Sequence, residues 1–380
     1  MGSQATFLSA LALALTGAAP AAAAATSQQA VAFLNQQRAT NSIPAGVQFD
    51  SYRTKGCQNH DVYMEHNGLQ HGENPGKPFY TAEGADYSDS GEVVAQGSGG
   101  FTATTNPWDA APLHQTLLFD PRVSKAGYDE HHGFTCMRFQ LNFSAPSSTA
   151  FYAYTGNLGR TDVPRSITVQ GEGPYAPQEA VGIPQGVATG PNILFFTQAF
   201  GSTNHALSYS LAGPAGPVEV KMVDSTTPPP SGQSYKPFNT GGDLIPVHPL
   251  KPLTTYDVAV TWVNDDDAQQ MQQKFSFKTD GFQRGLKLTL SKKLAAGRKA
   301  VLKAPAKAVG QKARVKIGLL KNEKKKPKTV SSKTVSLKRS QKIKVPRPSQ
   351  GGRAIVTVTL PSFVLGDTRF STPAAKRSYR

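Results

Sequence analysis

The sequence contains neither HExxH nor Gly-x-Ser-x-Gly. It therefore lacks both the zinc-peptidase helix and the serine-hydrolase elbow. Beyond residue 25 it has no apolar run of about 18 residues, so no membrane-spanning helix is expected after removal of an export signal. Acid is nearly missing from one end. Residues 285–380 hold Glu323 and Asp367 against 26 Lys and Arg, a balance of +24, while residues 1–284 balance 23 acids with 15 bases, or −8; together they give +16. The basicity thus belongs to one C-terminal module. Cysteine is limited to Cys57 and Cys136.

The first 25 residues carry no Lys or Arg, yet they otherwise follow a secretory signal. Phe7 to Leu15 form a short apolar run, and Ala18 to Ala25 supply small residues after it. A secreted or cell-surface location follows as an expectation. In such a chain two cysteines pair, closing a loop of about 80 residues; two separate buried thiols are the alternative.

Gly and Pro number 35 and 28, a turn-rich composition, and 380 residues exceed one ordinary core. Helical spacing comes first. Thr26 and Gln29 fit a capping box ahead of Ala30, Phe33 and Leu34. A second helix is predicted over 51–67, with Cys57, Asp61 and Met64 on one face and Gly68 as its cap. Further helices are expected from Glu92 to Ala95 and from Trp108 to Phe119, then strands through Ala126–Tyr128 and Phe134–Phe143. From about residue 166 the pattern becomes short alternating strands, with a late strand at Tyr256 like that of immunoglobulin-like domains, where Tyr256 would act as a corner tyrosine. Alternation resumes after 285, and Lys324-Lys325-Lys326 is read as a hairpin tip.

Six of the eight histidines lie between the cysteines. Their surroundings resemble the CAP superfamily: the cysteine-rich secretory, antigen 5 and pathogenesis-related 1 proteins and their bacterial relatives. The resemblance covers about residues 27–145. It rests on Leu34-Asn35-x-x-Arg38, on His60, Met64 and His71, on Gly91-Glu92-Val93 (Val93 where the family has Asn), on Trp108 to Leu118 with Pro112-Leu113-His114, and on Tyr128 with the Phe134–Phe139 strand. It implies an α-β-α sandwich with a cleft lined by His71, His114 and Glu92. A second glutamate belongs at 111, where this chain has Ala111; Glu73, in His71-Gly72-Glu73, is the possible substitute.

The expected architecture is α+β: a CAP-like α-β-α sandwich over 26–160 after a signal at 1–25, then two all-β immunoglobulin-like sandwiches at 161–282 and 283–380. Two imidazoles with carboxylates beside them suit zinc, held by His71 and His114, or acid–base work by His71, Glu92 and His114. The leading expectation is an exported protein whose cleft binds a ligand or metal. A secreted hydrolase of peptide or cell-wall substrate and a structural adhesin with a vestigial cleft are the alternatives. His60, the Glu130-His131-His132 run and Asp265-Asp266-Asp267 are read as helix face and solvated turns. The basic module suits anionic cell-envelope polymers or lipid headgroups. Nucleic acid is not expected, since the chain is exported and few aromatics stand among the lysines.

Overall fold

The computed structural model describes residues 25–380 except 87–90, 98–99, 103–105, 144–151, 157–160, 199–202, 321–326, 349–351, 367 and 380. The expected signal, apart from its last residue, and the Lys324–Lys326 tip lie outside the described residues. Among them no helix is long and apolar enough to cross a membrane.

Helix α1 (Ser27–Thr40) opens on the expected capping box: the Thr26 hydroxyl accepts from the Gln29 N–H and the Gln29 side chain accepts from the Thr26 N–H. Strand β1 (Gln48–Phe49) follows. Helix α2 (Ser51–Asn67) is capped by Asp50 and stops at Gly68, whose φ of 88° suits glycine. Then come a single turn, α3 (Ala82–Ala85), strand β2 (Glu92–Gln96), the short α4 (Pro112–Leu118), and the hairpin β3 (Val123–His131) and β4 (Phe134–Leu141). The sheet runs β1-β3-β4-β2, parallel only at β1–β3. On one face Cys57 and Met64 of α2 pack on Val94, Phe134 and Cys136.

The second unit contains β5 (Tyr152–Tyr154), β6 (Ile167–Thr168), β7 (Ala188–Thr189), β8 (Ile193–Phe196), β9 (Asn204–Gly213), β10 (Gly216–Pro217), β11 (Val220–Asp224), β12 (Gly242–Pro246), β13 (Thr255–Asn264) and β14 (Gln270–Lys278). Sheets β10-β9-β13-β14 and β11-β12-β8-β5 face each other across Phe195, Leu244, Trp262 and Phe277. Because β5 joins this unit, it begins before the expected boundary at 161. Tyr256 makes the expected corner contact, its hydroxyl accepting the Lys251 N–H at 2.9 Å.

The third unit contains β15 (Phe282–Gly285), β16 (Thr289–Leu290), β17 (Lys299–Lys303), β18 (Lys312–Leu320), β19 (Lys328–Ser336), β20 (Ser340–Lys344), β21 (Arg353–Thr359), β22 (Phe363–Leu365), β23 (Thr368–Ser371) and β24 (Ala375–Tyr379). Sheets β16-β17-β20 and β19-β18-β21-β24 enclose Leu302, Val315, Ile343 and Val356.

The α+β reading with an α-β-α sandwich at its head is therefore corrected. The chain is mostly β: among the described residues twenty-four strands stand against four α-helices, two of them only four and seven residues long. The helix expected at Glu92–Ala95 is β2, where adjacent Val93 and Val94 favour an extended chain. The helix expected from Trp108 starts only at Pro112, a first-turn position that proline favours. Nor is the second face of the first sheet closed by helices alone. One apolar cluster joins Leu34 of α1, Phe101, Trp108 and Phe119 to Tyr154, Leu194, Phe196 and Ile245 of the second unit.

Cys57 and Cys136 are bonded, 79 residues apart in sequence, and tie α2 to β4. In the chain-entropy model a loop of this size is worth about 4–5 kcal/mol. Replacing both cysteines by alanine is expected to lower unfolding free energy by about 3–5 kcal/mol, read from denaturant midpoints. A loss below about 1 kcal/mol would show that packing alone holds α2.

Candidate functional site

Glu92 begins β2 and sits directly opposite Arg138 of β4. Arg138 continues the face of Phe134 and Cys136, so its guanidinium is fully buried under α2. Its Nε donates to Glu92 Oε2 at 2.6 Å, and Nη1 donates to the carbonyls of Glu83 and Asp86 at 2.8 and 3.1 Å. Nη2 reaches the carbonyl of Gly84 and, at 2.6 Å, Glu92 Oε2. A buried charge is tolerable when paired and hydrogen-bonded in this way. Gly56 of α2 leaves the necessary room: a Cβ there would lie 2.6 Å from Arg138 Nη1.

The second oxygen of Glu92 faces two imidazoles. His71 Nδ1 is 3.1 Å from Oε1 and His60 Nε2 is 3.7 Å away. Burial alone would raise the Glu92 pKa, but the His71 hydrogen bond and the charges of His60 and Arg138 outweigh it and hold the carboxyl below its usual value. His60 is fully buried, with Nδ1 3.2 Å from Glu73 Oε1 and Nε2 3.0 Å from the Gln70 carbonyl. Glu73 Oε2 accepts the Thr81 N–H at 2.8 Å. Glu73 thus braces His60 and the 81–85 turn.

His114, on α4, faces His71 with ring centres 6.3 Å apart. Its Nδ1 lies 2.6 Å from Glu172 Oε1. Glu172 comes from the second unit and its side chain is fully buried, while its Oε2 has no hydrogen-bond partner. A carboxylate does stand beside His114, although Ala111 supplies none. His71, Glu92 and His114 thus converge as expected. The sequence offered no sign of Glu172, a lone acid between glycines 58 residues from its partner. It did offer one for Arg138, the one charged residue of its strand.

Two cavities of 260 and 280 Å³ lie along the boundary of the first two units, one lined by Leu117, Arg122 and Tyr235, the other by Gln115, Tyr154 and Asn192. His71 and His114 line neither, and the His71 side chain is 51 % exposed.

Behind the cleft, Asp61 of α2 is fully buried and shares a side-chain hydrogen bond with Asp129, a carboxyl–carboxylate contact that needs a proton on one of the two. Burial, with the charges of Asp129 and Glu92, pushes its pKa up to about 9. Burial likewise raises Asp129.

No known protein family matches the chain, and no curated protein does. Among solved structures it is similar to the FN1–FN3 domains of chicken CNTN1, at 13 % identity over 50 % of this chain and 58 % of that one, with a TM-score of 0.20. A likeness that slight carries no argument about fold or function.

Asp61 generates a pH dependence. A carboxyl whose folded pKa is raised stabilises the fold when protonated, and that contribution is lost as pH climbs from about 4 to about 9. Asp61→Asn, of similar shape and uncharged, should flatten this decline and exceed the native chain by about 1–3 kcal/mol at pH 8. Denaturant midpoints measured across the range check it; parallel profiles for the two proteins would remove Asp61 as the cause.

Proposed function

We propose that the chain is an exported binding protein of the cell envelope. In this reading a CAP-like head takes a ligand or metal ion in its His71–His114 cleft, and β-sandwich units carry it. The observation supporting the cleft is the way its imidazoles are held. Each gives Nδ1 to a buried carboxylate, Glu92 or Glu172, and leaves Nε2 without a partner among the described residues. A carboxylate at one ring nitrogen fixes the tautomer and aim of a metal-binding histidine. Zinc is the ion that His71 and His114 would hold here, each through the Nε2 it leaves free.

The hydrolase alternative is the weaker one. Glu92, one of its two candidate bases with His71, is tied to Arg138 and its pKa is held low, which makes it a weak base. Export is supported by the Cys57–Cys136 bond, which persists in oxidising compartments. The CAP-like reading is supported by His71, Glu92 and His114 meeting where that resemblance expects them.

Adhesion to an anionic polymer or lipid headgroup is proposed for the third unit. On β18 Lys312, Arg314 and Lys316 are exposed while Ala313, Val315 and Ile317 are buried. Across the ladder they neighbour Ser336, Thr334 and Ser332, and Lys376 of β24 lies beyond Thr357 on the same face. The outer face is thus a flat array of cations and hydroxyls, and no acid occurs among the described residues of 286–379.

Two measurements test these readings on the full chain. In calorimetric zinc titrations, His71→Ala or His114→Ala should weaken uptake at the cleft by about 10–100-fold and Glu172→Gln by about tenfold. Unchanged affinity in all three would end the cleft reading. In co-sedimentation with purified cell wall or with anionic vesicles, binding should fall several-fold from about 50 to about 500 mM salt. It should fall likewise when Lys312, Arg314 and Lys316 are changed to glutamine. Binding indifferent to both would sink the adhesion reading.

A further inference from the structure

A second set of histidines lies at the far end of α2 from the Asp50 cap. Cys57, Asp61 and Glu65 follow one another at helical spacing and face β3, which presents Gly127, Asp129 and His131 on the same side. One helical turn beyond the buried Asp61, Glu65 reaches the surface. Its Oε2 lies 3.1 Å from His131 Nε2 and its Oε1 lies 2.6 Å from His132 Nδ1. The sequence pairs these histidines with Glu130, but Glu130 instead lies 3.2 Å from the Tyr128 hydroxyl.

Adjacent residues in a strand point to opposite faces, so His131 and His132 would ordinarily diverge. The turn brings them together. His131 pairs with Phe134, leaving His132 and Gly133 as a two-residue hairpin loop with φ of 46° and 83°. Positive φ at both positions is the turn that Asn-Gly normally makes, and histidine tolerates it less well. Its effect is to fold the His132 ring back beside His131, with ring centres 4.0 Å apart. The support is firm, since Cys57 ties α2 to Cys136, the residue paired with Asp129 across the hairpin.

Among the described residues, Glu65, His131 and His132 are the one group of at least three His, Cys, Asp or Glu side chains whose ligand atoms all lie within 4.8 Å of one another. We propose that these three side chains form a surface site for a divalent transition-metal ion of the zinc class, separate from the cleft. Two imidazoles and one carboxylate are a three-ligand set that leaves a fourth position for water or for a donor from a partner. His131 would bind through Nε2 and His132 through Nδ1, the atoms that now share Glu65. The side chains are 38 %, 66 % and 30 % exposed for His131, His132 and Glu65, so an ion has direct access. A bound ion would clamp the end of α2 to the hairpin, and ions that bind only the folded chain raise its unfolding temperature.

The test uses the full chain, stripped with chelator and titrated with zinc chloride by calorimetry, with a thermal melt at each zinc level. His132→Asn is the informative variant, because asparagine suits the turn and keeps the hairpin while removing the imidazole. His132→Asn and His131→Ala should each weaken zinc binding at this site at least tenfold and abolish its share of the thermal shift. A His71→Ala/His114→Ala double variant should keep both. Cobalt in place of zinc should give d–d absorption bands that His132→Asn removes. The proposal is overturned if wild-type protein takes up no zinc below about 100 µM. It is equally overturned if uptake survives His132→Asn and His131→Ala unchanged, or is lost only with His71 and His114.

Discussion

The sheet β11-β12-β8-β5 is packed on both faces along its two central strands. One side packs on Trp262 and Phe277 within its own sandwich, and the other on the first unit, where Phe119 stacks on Tyr154 with ring centres 3.8 Å apart. Every residue of β8 and β12 is buried. An interface of this kind is closer to a divided core than to the polar contact usual between mobile domains. It fixes the distance between α4 and the 171–173 loop, and with it the 2.6 Å contact of His114 and Glu172. The first unit on its own would have an exposed apolar face and a histidine without its carboxylate.

Glu92 plays the corresponding part inside the first unit. It accepts Arg138 on one oxygen and His71 on the other, so two sheet strands and the 71–73 loop converge on one carboxylate. Arg138 in turn collects three carbonyls of the 83–86 turn. A carboxylate so heavily donated to is a good anchor and a poor proton carrier, because each donor stabilises its charged form.

Local signals were legible in the sequence wherever a local cause set the structure. The Thr26–Gln29 box, the span of α2 ending at Gly68, and the face shared by Cys57, Asp61 and Met64 all follow from spacing along one element. Glu92–Ala95 failed because four residues have no clear period and Val93-Val94 decides for strand only once Arg138 lies opposite. The α-β-α reading failed for a long-range reason: the first sheet shares its second face with another unit, which no spacing within 26–160 reveals. Glu172 was hidden by the same cause. His131 and His132 were dismissed as a solvated turn because their partner, Glu65, lies 67 residues from His132.

The third unit is attached differently. Among its links to the rest are Arg369 with Asp162 and the Arg165 guanidinium 4.3 Å over the Phe282 ring, polar and partly exposed contacts. Such contacts are screened by salt and bury little apolar area, so they hold orientation weakly compared with the Phe119–Tyr154 layer. The charge division follows the same line: residues 1–284 carry −8 and residues 285–380 carry +24. Exposed charges farther apart than about 8 Å hardly feel each other at physiological salt. The +24 of residues 285–380 therefore acts locally, within about a Debye length of those lysines, rather than through the chain's net charge.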